Sequence, residues 1–272
     1  MPSQRESELE AAAPRRVSLA GTPVDLCSHA DVLRIVRTRL GAASLSEESR
    51  PLLVASANLD HVHHFGRGGR HQGIVGDPQS AAHWLVLLDG MPLVWRARAL
   101  DRGSTWRRLA GSDLLQDLLL VAQADGHRVG FLGGTADTHA RLAAALAGAL
   151  PNLPVAGYWA PQRWQLDDDP ASTRLAAEVR DAGVDLLVVG LGKPRQELWS
   201  LRYGPTTGAK VCLAFGAAAD FIAGTVARAP EVLRSSGLEW LYRLALEPRR
   251  LSRRYLLQGP PALCRLLLHS RG

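Results

Sequence analysis

The strongest candidate for a general base is the aspartate that closes an apolar run, HWLVLLDG. Asp89 stands at the mouth of that run with a glycine after it, a place where a carboxylate can be partly desolvated and poised to take a proton. Asp-Gly is also an ordinary turn, so its neighbours must supply the weight. Three other apolar runs end in the same way: Ser56 and Asn58 follow LLVA, Gly133 and Gly134 follow VGFL, and Gly192-Lys193-Pro194-Arg195-Gln196-Glu197 closes DLLVVGL. In a parallel sheet such ends converge on one edge, where an α/β fold keeps its ligand. Glycines feeding helix N-termini there offer free N–H groups to a phosphate or a sugar hydroxyl.

Each of these residues also has a plainer reading. Gly133-Gly134-Thr135 could cradle a nucleotide phosphate, but the full G-x-G-x-x-G fingerprint is missing, and close helix packing explains the glycines equally well. Gln196 can donate and accept hydrogen bonds, as a sugar requires, although most helical glutamines are simply exposed. Glu197 suits the helix dipole without any ligand. Asp220 either accepts from a ribose or base edge or caps a helix. Asp167, Asp168 and Asp169 precede Pro170 and a helix, which favours capping over metal binding. His61, His63 and His64 are not spaced as i, i+4 ligands and read as surface or supporting groups, so no metal site is expected.

The elements that must position these residues alternate. RVSLAGTPVDL is extended, and a helix capped at Ser28 runs to Gly41. PLLVASAN is a strand followed by the helix LDHVHHF, and HWLVLLDG is a strand followed by MPLVWRARAL. A helix capped at Ser112 stops at Gly126, RVGFLGG is a strand, and the Ala-rich helix ends at Pro151. PVAGYW is a strand, 160–169 a loop, 171–182 a helix; then come the strand and helix of VDLLVVGLGKPRQELW and the last strand, AKVCLAFG. Strands separated by helices predict an α/β, Rossmann-like, mostly parallel sheet covered on both faces. The expected divisions are a disordered tail over 1–15, an α/β core over 16–230 and a helical, arginine-rich appendage over 231–272.

The apolar share of 46% and charged share of 21% are those of a folded soluble protein. Cys27, Cys212 and Cys264 match no disulfide or metal spacing and read as buried thiols in a reducing compartment. The net charge of +6 is concentrated at the end, where seven arginines and two acids follow from Glu239 onward. A phosphorylated ligand or an anionic membrane surface suits that tail; no nucleic acid is expected. Arg243, Arg250 and Arg253 share a helical face if Pro248 only kinks the run. Trp240, Leu241, Leu244 and Leu246 beside them could pack on the domain or touch lipid. No stretch is long and apolar enough to span a membrane, and the N-terminus lacks the apolar run of a signal peptide.

The blocks ASANLDH, LLDGMPLVW, RLAGSDLL, VGFLGG, VVGLGKPRQELW, ADFIAGTVARAP and GLEWLYRLALEPRRLSRRY, in this order, resemble the WecG/TagA/CpsF family of bacterial glycosyltransferases. The resemblance runs from about Arg16 to Tyr255. It implies an inverting enzyme that moves a sugar of N-acetylmannosamine, N-acetylmannosaminuronate or glucose type. The donor would be a UDP-sugar and the acceptor an undecaprenyl-diphosphate-linked saccharide in surface polysaccharide or teichoic acid synthesis. Asp89 would then be the base, with Ser56 and Asn58 lining the pocket beside it. Arg108 would assist at the sugar or diphosphate, Gln196 would contact substrate, and Asp220 would hold the uridine beside Gly133, Gly134 and Gly192. Arg243, Arg250 and Arg253 would close the site, bind the diphosphate and help dock the chain peripherally on the inner face of the cell membrane. The resemblance implies metal independence, since cations can neutralise the departing UDP. Ser56 stands where the family usually has Thr, keeping the hydroxyl and losing a methyl.

Two rival readings are a Rossmann-type NAD(P)-dependent oxidoreductase, which the incomplete glycine fingerprint disfavours, and a nonenzymatic nucleotide-sugar-binding protein docked on a membrane. Homo-oligomerisation through the apolar appendage is open to all three.

Overall fold

A computed structural model describes residues 14–42, 50–77, 79–103, 105–226, 229–230, 233 and 239–272. The expected N-terminal tail and the extra loop near Ser46 fall largely outside these residues. The chain begins with a hairpin, β1 (Arg15–Leu19) and β2 (Thr22–Leu26). The positive φ of Ala20 and Gly21 forms its turn, the twist that suits two-residue hairpins. Ser28 caps α1 (His29–Leu40) by accepting from the Asp31 N–H, while the Asp31 carboxylate accepts from the Ser28 N–H.

From there strand and helix alternate: β3 (Leu52–Ala57), α2 (Leu59–Phe65), β4 (His83–Leu88), α3 (Met91–Leu100), α4 (Gly111–Asp125) and β5 (Val129–Gly133). Then follow α5 (Ala136–Ala149), β6 (Val155–Trp159), α6 (Arg163–Asp167), α7 (Asp169–Asp181), β7 (Leu186–Gly190), α8 (Arg195–Thr207), β8 (Val211–Ala214) and α9 (Ala218–Ile222). Among the described residues the strands form one eight-stranded sheet in the order β1-β2-β4-β3-β8-β7-β5-β6. Only β1 is antiparallel to its neighbour; the other pairings are parallel. The expected α/β architecture is therefore the observed one.

Alternation along each strand divides the core between two faces. Leu53, Ala55 and Ala57 of β3 pack with Phe65, Leu93, Ala176 and Trp199 on one side. Leu52 and Val54 pack with Val32, Leu114, Leu118 and Leu142 on the other. The strand order reverses between β3 and β8, so the ends of β3, β4, β7 and β8 open on a common crevice.

Several local expectations need correction. The cap of α4 is Ala110, and Ser112 lies inside the first turn, because the chain enters the helix from an extended segment two residues earlier than a Ser112 cap requires. The 160–169 loop contains α6, closed by a Gln162 and Gln165 capping box. Cys27 and Cys212 are buried, their thiols pushed up to about 12 by burial. Cys264 is exposed, on the outer face of the last helix.

The C-terminal segment is α10 (Glu239–Leu246), α11 (Pro248–Ser252), a π-helical turn (Arg253–Gln258) and α12 (Gly259–Leu268). Pro248 does more than kink the run: Glu247 leaves helical geometry, and a new helix starts at the proline. The segment returns to the core, where Ala262 and Leu266 of α12 are fully buried. Past α12, Ser18 and Arg271 exchange backbone hydrogen bonds of 3.0 and 2.8 Å beside β1.

Candidate active site

Asp89 follows the last residue of β4, and its N–H donates to the Ala57 carbonyl at 2.9 Å, which seats it beside the end of β3. Ser56 is buried one residue back on β3, paired in register with Leu87. Asn58 caps α2, its Oδ1 accepting from the His61 N–H at 3.1 Å. Gly90 adopts φ 112 against Asn58, and an added Cβ would stand 3.3 Å from the Asn58 Cβ. The Asp-Gly pair is thus required by close approach as well as by the turn.

Arg108 reaches the same place by a different route. The strand β2 leaves β4 after the Asp25 and Leu87 pairing, and the extended chain before α4 takes over, with the Leu109 N–H donating to the Leu88 carbonyl at 2.7 Å. That contact sets Arg108 beside Asp89. Burial pushes the Asp89 carboxyl above its ordinary range; Arg108 opposes this, Glu239 adds to it, and Lys193 and Arg254 oppose it. Burial works against the Arg108 charge, but its hydrogen bond to Glu239 and the nearby acids outweigh that and raise its pKa.

A small pocket opens at the ends of β5, β7 and β8, walled by Gly133, Gly134, His139, Gly190, Gly216 and Asp220, among others. The glycines here answer to backbone crowding. A Cβ on Gly133, whose φ is 107, would meet the Gly190 carbonyl oxygen at 2.4 Å. Gly133→Ala should therefore destabilise the fold by about 2 kcal/mol or more. Urea unfolding would measure the loss, and an unchanged midpoint would contradict the crowding. Asp220 lies in the first turn of α9 and faces His139 across the pocket. Gly192, grouped with these residues by sequence, stands outside the pocket wall in the β7 to α8 turn, with open space around it.

Gln196 is buried at 2% exposure, unlike most helical glutamines. Its amide nitrogen donates to the Ala214 carbonyl at 2.7 Å, tying α8 to the end of β8, and its Oε1 has no partner among the described residues. Glu197 is buried beside it and paired with Lys193. Lys193 was not singled out as a site residue by sequence; its side chain is 6% exposed and its charge reaches both Asp89 and His61.

His61 corrects the surface reading of the histidines. It is fully buried with neither ring nitrogen partnered among the described residues, and burial, Lys193 and His64 hold its pKa well below the ordinary value. Its imidazole is neutral at physiological pH. His64 instead approaches Asp60 at 3.5 Å. The acidic run before α7 serves the fold, as expected. Asp168 accepts from the Ala171 N–H at 2.8 Å, and Asp169 pairs with Arg202 at 2.8 Å.

The appendage meets the crevice through residues largely missed by spacing. Glu239 accepts from Arg108 at 2.7 Å, and Arg254 approaches Asp60 at 3.3 Å. Arg243 sets its guanidinium 5.5 Å from the Phe221 ring, next door to Asp220. Arg253 points to solvent, and the Arg250 side chain lies outside the described residues. Arg243 and Arg253 therefore do not share a face: the break at Glu247 and the wide π-helical turn bring Arg254, not Arg253, to Asp60. Trp240 and Leu241 are 43% and 50% exposed, and Leu256 and Leu257 extend the apolar surface. Leu244 is half-buried. Among the described residues no helix is long and apolar enough to cross a membrane.

The sequence model of the Glycosyl transferase WecG/TagA/CpsF family matches residues 17–272. A Bacillus subtilis (strain 168) protein, N-acetylglucosaminyldiphosphoundecaprenol N-acetyl-beta-D-mannosaminyltransferase, is 31% identical over 168 residues. That similarity covers 62% of this chain and 63% of the relative's length.

Proposed function

The chain belongs to the WecG/TagA/CpsF family of glycosyl transferases, and on that premise we propose that it moves a sugar from a UDP-sugar to a polyprenyl-diphosphate-linked saccharide, inverting the anomeric centre. N-acetylmannosamine is the first donor sugar to test, by analogy with the name of the Bacillus subtilis relative. The observation that carries the reading is the meeting, on one sheet edge, of a partly desolvated carboxylate with a glycine-walled pocket under an arginine-bearing appendage.

In this reading Gly133, Gly134 and Asp220 hold the nucleotide. Asp89 takes the proton from the acceptor hydroxyl as that oxygen bonds to the anomeric carbon, and the bond from that carbon to UDP breaks. Arg108 and the appendage arginines stabilise the charge gathering on the departing diphosphate, so the reaction proceeds without a metal. Ser56 and Asn58 border the acceptor side. The exposed Trp240, Leu241, Leu256 and Leu257, beside arginines, suit docking on an anionic membrane surface where the acceptor is anchored.

The product tests this reading. NMR coupling at the new anomeric centre should report inversion, and turnover should survive a chelator; retention or chelator sensitivity would contradict the respective claim. Because Asp89 must be ionised to accept the proton, kcat/KM should fall on the acid side through a limb lying above 3.8, its ordinary value. A limb at or below that value would exclude a desolvated base.

A further inference from the structure

Glu239 carries a carboxylate from the appendage into the candidate site. Its Oε2 accepts from Arg108 Nη1 at 2.7 Å, with the two side chains 18% and 19% exposed and 131 residues apart in sequence. The contact joins the extended chain beside β4 to the first described helix of the appendage, and it puts a second negative charge close to Asp89. A helix N-terminus accepts an acid readily, but this acid reaches across to another element instead of serving its own. Arg254 and Asp60 form a second tie between appendage and core, so the appendage has an anchor that does not depend on Glu239.

Guanidinium groups grip carboxylates and phosphates by the same charge-assisted hydrogen bonds. A side chain that holds Arg108 therefore competes with any diphosphate that needs it. We propose that Glu239 is an exchange residue: it occupies Arg108 in place of the donor's diphosphate and releases it to that diphosphate when the nucleotide sugar binds. The inference rests on the reading above, in which Arg108 meets the diphosphate. It adds that one tie between appendage and core is an anion that the donor displaces. Glu239 then lowers donor affinity in return for keeping Arg108 oriented and its charge balanced when no donor is bound.

The test is calorimetric binding of UDP to the full-length protein, wild type against Glu239→Gln. The glutamine keeps the shape and an acceptor oxygen for Arg108 but removes the competing charge. Expected is tighter UDP binding by about three- to tenfold, no such gain when Arg108 is already Ala, and a lower KM for the donor. The acid limb of kcat/KM should also move to lower pH. Glu239 is a like charge near Asp89, and the groups remaining around that carboxylate, Arg108, Lys193 and Arg254, are all cationic. Unchanged or weaker UDP binding by Glu239→Gln would overturn the exchange and leave Glu239 a strut, with the donor reading intact. Failure of the wild type to bind UDP at all would overturn both.

Discussion

Asp89→Asn should reduce sugar transfer by about a thousand-fold or more while leaving the fold and UDP binding in place. The substitution is isosteric, and the backbone bond from residue 89 to the Ala57 carbonyl does not involve the side chain. Folding raises the Asp89 pKa, so the folded state prefers the protonated acid; that preference stabilises the fold at low pH and is lost as pH rises through the raised value. At neutral pH a neutral amide therefore removes an unfavourable buried charge, and the variant should melt no lower than the wild type. What it loses is the lone pair that accepts the acceptor's proton. A single-turnover assay with a matched thermal melt separates the two effects, and near-normal turnover by a folded variant would exclude Asp89 as the base.

Removal of the chain after Gly237 should abolish transfer and weaken the fold together. By sequence the appendage is a helical, arginine-rich segment that closes the site. The structure gives its far end a place in the core. Leu251 is 3% exposed, Ala262 and Leu266 are fully buried, and the Ser270 hydroxyl accepts from the Ala20 N–H at 3.0 Å. Deleting these groups uncovers α2 and the edge of the hairpin, which should lower the melting temperature by about 5 °C or more. Arg108 loses Glu239 and Asp60 loses Arg254 in the same step. Arg254→Ala provides the separate test of the site, because it leaves α12 seated; it should cut turnover at least about tenfold with little change in melting. A truncated chain that melts and turns over as the full one does would refute this account of the appendage.

The legible part of the molecule was the part written in local pattern. Uninterrupted runs such as LLVA and LLVV can only be buried parallel strands when helical segments separate them, and their ends marked the crevice. Caps were readable where the side chain itself makes the bond, as at Ser28 and Asp168. The Ser112 cap failed because Ala110, which offers no side-chain acceptor, occupies the position where the helix begins. The appendage defeated spacing arguments for a related reason. A seven-and-three pattern assumes one straight helix, and a proline-started helix followed by a π-helical turn changes which arginine faces inward.

Long-range partners were invisible altogether. Nothing near Glu239 in sequence signals Arg108, and nothing near Lys193 signals that it lies among Asp89, His61 and Glu197. The surface reading of His61 fails because the turn from Asn58 sends it into the core and His64 toward Asp60. The sequence blocks that resemble the family marked Arg108 without its neighbours, and the geometry supplied the ion pair that surrounds it.

Acceptor-dependent release of UDP is the sharpest assay of sugar transfer by this chain. The full-length protein would be given a panel of UDP-sugars that includes UDP-N-acetylmannosamine, each with and without a short-chain lipid-diphosphate-linked N-acetylglucosamine. Such transfer predicts UDP release from one donor, only when the acceptor is present. Release that ignores the acceptor, or silence across the panel with no UDP bound, would contradict it.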